Sequence, residues 1–115
     1  MKVYLSITIT VLCFTILISE STQKMTLHDF MEDYVELAEK KFKKGDKEAL
    51  QNILAALPDL AIPEEKERWK KITDEALESG KLLSSCKNCH KEFKKSYKKT
   101  YKKRLVEIPT ELLKK

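Results

Sequence analysis

The chain has 115 residues, of which 42% are hydrophobic and 36% charged, with only two glycines and three prolines. That is the profile of one surface-charged helical domain, and it excludes a disordered, collagen-like or all-β chain. The balance is basic, +5 with a pI of about 9.0, which ordinarily brings nucleic acid to mind.

The N-terminal segment argues against that partner. Met1-Lys2 is a short positive start, Val3 to Ile18 carries no charge, and Ser19 and Ser21 are small residues where a signal peptidase reads. The pattern predicts a secretory signal peptide over residues 1–21, cleaved after Ser21. Export to a periplasm or an equivalent compartment follows, with no stable membrane anchor left and no nucleic acid to meet. The competing reading is an uncleaved anchor, since the apolar run falls only a little short of a spanning helix. Cys13 follows the bulky Leu12 inside the run, not at its end, which argues against lipid attachment. The remaining domain, 22–115, is small for a self-sufficient core, and such domains often rely on a covalent or metal staple.

Four helices are predicted after the signal. The first covers about 27–44. Thr26 is its N-cap, with Asp29 three residues on. Leu27, Phe30, Met31, Tyr34, Val35, Ala38 and Phe42 form one apolar stripe, and Gly45 is the stop. Asp46 caps a second helix over 47–57, with Leu50, Ile53, Leu54 and Leu57 inward and Pro58 ending it. Pro63 opens a third over 63–79. Glu64, Glu65 and Glu67 suit its positive end, Trp69, Ile72, Ala76 and Leu77 face inward, and Gly80 closes it. The fourth covers 81–104, where Leu82, Cys86, Cys89, His90, Phe93, Tyr97 and Tyr101 share a face. No run of alternating residues announces a sheet, and the tail after Pro109 fits no element. The expected fold is all-α, a compact up-down-up-down four-helix bundle.

The chemistry sits in Cys86-Lys87-Asn88-Cys89-His90. C-x-x-C-H is the attachment signature of c-type haem. Each thiol adds to one porphyrin vinyl group, and the adjacent histidine reaches the iron. On a helix the three side chains stand at i, i+3 and i+4, toward one pocket. Other readings of the cysteine pair are a zinc site with His28 and His90, a structural disulfide, and a thiol redox pair. Zinc wants four ligands and no second cysteine pair exists. A thioredoxin-like pair needs a βαβ context that is missing here.

Around that motif the chain resembles the class II c-type cytochromes, the cytochrome c′ group. The string Cys86 to Lys95 is similar to the family's C-x-x-C-H-x-x-[FY]-[RK], with Phe93 and Lys94 at the aromatic and basic positions. Phe30-Met31, the Gly45-Asp46 turn and Trp69 resemble a compact subgroup, and the likeness spans the whole mature chain. It implies an exported four-helix bundle with one covalent haem c on the C-terminal helix. The helices are shorter than is usual in that family, so coverage of the distal side is in question.

In that family the first helix supplies the distal face. The resemblance therefore makes Met31 the candidate second ligand opposite His90, with His28, one turn earlier, as its rival. The bland readings are a core methionine and a surface histidine. A second strong ligand implies a low-spin electron carrier, and an open distal side implies binding of nitric oxide or carbon monoxide. No acid or base is paired with the motif, so no enzyme is expected. The lysines of the fourth helix form a solvated face, or a docking face for an acidic redox partner. Pairing through the first two helices, as a homodimer or with a related cytochrome, is a further implication of the resemblance.

Overall fold

The computed structural model describes residues 21–114. The expected signal segment, the apolar run and Cys13 lie outside the described residues. So does Lys115.

Strand β1 (Thr22–Thr26) leads into α1 (Leu27–Phe30), a π-helical segment (Met31–Val35) and α2 (Glu36–Lys43), which together form one uninterrupted first helix over 27–43. The Thr26 hydroxyl caps its start, accepting from Asp29 N at 3.1 Å. Gly45, at φ +98°, lets the chain turn out of the last turn. Helix α3 (Glu48–Ala56) runs on into a 3₁₀ turn (Leu57–Leu60), and Asp46 Oδ1 accepts from Glu48 N at 3.2 Å. Helix α4 (Lys66–Ser79) ends at Gly80, φ +75°, and α5 (Leu82–Ser96) continues through a second π-helical segment (Tyr97–Tyr101).

These four helical runs match the stripes read above, with shifted ends. The third starts at Lys66 instead of 63, because Pro63 and its neighbours form a separate turn, closed by Glu65 N donating to Ile62 O at 3.0 Å. The fourth helical run ends at Tyr101 instead of 104.

An all-α chain is not what folds. Strand β2 (Leu105–Pro109) pairs antiparallel with β1, with Thr22 opposite Pro109 and Thr26 opposite Leu105. The driving force is burial on one face: Val106 and Ile108 point into the core while Leu105 and Glu107 face water. The pair abuts the first helix, where Leu27 N donates to Arg104 O at 3.1 Å. A 3₁₀ turn (Thr110–Leu113) follows, and its Leu112 and Leu113 pack on the core.

The core centres on Leu27, Phe30, Leu50, Leu82, Tyr101 and Ile108, all fully buried. Helix α4 packs on α5, α3 on α4, and α2 on α3. Among the described residues no helix is long and apolar enough to cross a membrane.

Candidate functional site

Gly80 and Lys81 turn the chain sharply, so that α5 folds back on α4. That packing orients one face of α5 inward. Leu82, Ser85 and Phe93 are buried, Cys86 and Cys89 half-buried, and His90 stands at the exposed edge. Both cysteines are free thiols.

Two cavities open beside this face. The smaller, about 270 Å³, has Cys86, Cys89 and His90 on one wall and Met31 and Val35 of the first helix among those facing them, with Leu54, Trp69 and Ile72 closing it. The larger, about 670 Å³, lies along the next turns of α5, between Phe93, Tyr97 and Tyr101 and the first helix. Met31, Trp69, Cys89 and His90 line both. The structure thus gathers Cys86, Cys89, His90 and Met31 about one divided apolar space. Both π-helical segments border it: Met31 opens one, and Tyr97 and Tyr101 bound the other. Single-turn π irregularities of this kind recur at functional sites.

His28 is elsewhere. It lines neither cavity. Its Nε2 lies 3.1 Å from a Glu32 carboxylate oxygen and its Nδ1 3.3 Å from the Tyr97 hydroxyl, so both ring nitrogens are already engaged.

The thiols are held in their neutral form. Burial pushes Cys86 up to about 12, helped by a hydrogen bond with the Glu39 carboxylate, and burial pushes Cys89 up to about 11. A redox-active or metal-binding cysteine needs the opposite, a thiol whose thiolate is favoured. Among the described residues, no group of three or more His, Cys, Asp or Glu side chains is arranged to hold a metal ion. The residues able to hold a haem are those of the motif: two free thiols on one helical face, an adjacent imidazole and apolar walls.

Trp69 is the hinge of the site. Its ring packs 5.8 Å from Phe93 and 5.0 Å from Tyr101, centroid to centroid. Its Nε1 is buried and has no hydrogen-bond partner. A buried donor left unpaired costs about 1–3 kcal/mol. Tyr101 is fully buried, donates from Oη to Glu65 Oε2 at 2.9 Å and accepts from Ile62 N at 3.4 Å. Burial, then the Glu65 hydrogen bond, push its phenol up to about 12.

Sequence reasoning missed Glu39 beside Cys86, Glu65 beneath Tyr101 and the buried Thr73. Glu39 and Thr73 sit at helical spacing from stripe residues, which is the signal that was available. Compared with family models, curated proteins and solved structures, the chain matches none of them.

Proposed function

We propose that this protein is an exported monohaem c-type cytochrome that carries electrons, its single haem c bound covalently. Cys86 and Cys89 would hold the porphyrin, His90 would ligate the iron from the proximal side, and Met31 would be the second ligand. The observation that carries the reading is that the C-x-x-C-H face of α5 opens onto an apolar space whose facing wall holds Met31. When bound, haem supplies a reversible one-electron couple.

The chain's own residues do the rest. Leu54, Trp69, Ile72 and Phe93 give the space an apolar lining, and an apolar setting with a thioether ligand favours a raised reduction potential. The helices are proposed to run up-down-up-down. The pairwise packing of α2 on α3, α3 on α4 and α4 on α5 supports that arrangement, as does the short turn at Gly80. A periplasmic or equivalent location follows from the signal pattern of residues 1–21.

The test is an absorption spectrum of the protein made in a host with haem-attachment machinery, reduced and then exposed to carbon monoxide. Haem that survives denaturation, with a low-spin spectrum unmoved by carbon monoxide, is the expected result. A high-spin spectrum that shifts would make it a binder of small gases instead. Absence of covalent haem would sink the proposal.

A further inference from the structure

The fourth helical run and the turn after it carry eight lysines: Lys87, Lys91, Lys94, Lys95, Lys98, Lys99, Lys102 and Lys103, all exposed. Among the described residues none of the eight takes part in an ion pair. Elsewhere Lys40, Lys66 and Lys70 lie within 3.6, 3.1 and 2.7 Å of Glu36, Asp59 and Asp74, while Lys43, Lys44 and Lys47 are equally exposed and without an ion pair among the described residues but line no part of the larger cavity. The one acid of the segment, Glu92, is taken by Arg68, whose Nε donates to it at 3.1 Å. Three of the unpaired lysines, Lys91, Lys94 and Lys98, stand at i, i+3 and i+7 along α5 and its π-helical continuation, and all three line the larger cavity beside His90.

We propose that this lysine-ringed mouth of the larger cavity is the docking face for an acidic protein. Its purpose, electron exchange at the His90 edge, rests on the cytochrome reading. The docking itself does not. Unpaired, exposed charges of one sign steer encounter with a partner of the opposite sign, and they lose little desolvation energy because they stay at the rim.

Two other anionic partners fit less well. A lipid surface is held by apolar side chains as well as by charge, and among the described residues the one large apolar side chain well exposed is Leu105, which does not line the cavity. Single-stranded nucleic acid needs free aromatic faces on which bases stack. Tyr101 is fully buried against Trp69, and Tyr97 is half-buried with its hydroxyl on His28.

The test is shift mapping of the full exported chain, ¹⁵N-labelled and titrated at low salt with a small, strongly acidic ferredoxin as probe. Amide shifts should concentrate over residues 91–101. The triple reversal Lys91→Glu, Lys94→Glu, Lys98→Glu should weaken binding at least about tenfold, with Lys→Gln at the same three positions falling between. Reversing Lys43, Lys44 and Lys47 changes net charge equally and should cost less than about twofold. Equal losses from the two sets would mean that net charge alone acts, and would overturn the assignment. So would tighter binding of phosphatidylglycerol vesicles or of a DNA strand through the same amides. The mass of the same sample reports whether haem is attached, so failure of the cytochrome reading is seen separately from failure of the docking face.

Discussion

The two cavities share an interior and differ at the rim. Met31, Trp69, Cys89 and His90 line both, yet the smaller is edged by Glu32, Glu36 and Glu39 of the first helix and the larger by Lys91, Lys94 and Lys98. The acids face groups of the fold itself: Glu32 faces His28, Glu36 faces Lys40, and Glu39 helps hold the proton on the Cys86 thiol. Among the described residues the three lysines pair with no acid. Burial decides which side chains make the interior, and helical periodicity hands each rim to a different helix. One rim is therefore tied into the fold's own contacts, and the other carries charges with no ion-pair partner among the described residues.

That comparison can be broken most completely at the shared wall. Replacing Cys86 and Cys89 together by serine should remove all covalent haem, read as the mass of the exported protein. Retention of the adduct would end the assignment of the motif.

Trp69→Ala empties part of both cavities' common lining and should cost about 3–5 kcal/mol in denaturant unfolding. Trp69→Phe keeps one aromatic ring at this position but loses the second ring of the indole, so a smaller loss of about 1–3 kcal/mol is expected. If the phenylalanine were as damaging as the alanine, the aromatic contacts with Phe93 and Tyr101 would not be what holds this wall together.

Met31→Ala should cost about 1–3 kcal/mol, less than a fully buried methionine because Met31 is half-exposed. Its sharper readout is optical. A low-spin spectrum should become high-spin and open to carbon monoxide, whereas an unchanged spectrum removes Met31 from the site.

Tyr101→Phe leaves Glu65 and the Ile62 N–H without their partner, at about 1–3 kcal/mol. It also carries a pH signature. The phenol is raised from 10.0 to about 12, so the folded chain keeps a proton that the unfolded chain has lost. The stabilisation is whole below pH 10 and is lost as the pH climbs toward 12. Measured in the serine double variant, which removes both thiols, unfolding midpoints should fall over that window, and Tyr101→Phe should flatten the fall. Smallest of all, Glu36→Gln should change stability by less than about 0.5 kcal/mol, since its pair with Lys40 is exposed.

The helices were legible because their apolar residues repeat on one face and their ends carry chemistry that acts locally. Thr26 caps, Gly45 and Gly80 turn left-handed, and Pro58 stands at the 3₁₀ turn that follows α3. The motif was legible for the same reason, its five residues being contiguous. The strands were not. In β2 the alternation lasts only from Leu105 to Ile108, directly after a helix whose lysines continue the same composition. In β1 the burial pattern is exposed for three residues and half-buried for two, so its sequence has no alternation to offer. The two are paired across nearly the whole chain, and no local rule reaches that far. The division of the site into two cavities was hidden too, because it depends on how the first helix, α4 and α5 pack together, which no local pattern encodes.

The strand pair also sets an order of events. Its first member is among the earliest parts of the domain to be synthesised and its second among the last, so a long loop must close before any of its hydrogen bonds form. By then α5 is already complete, cysteines included. The ends of the domain are thus fastened late, after the segment that bears the thiols has been made, and until that moment α1 and α5 are free of the clasp that later joins their outer ends.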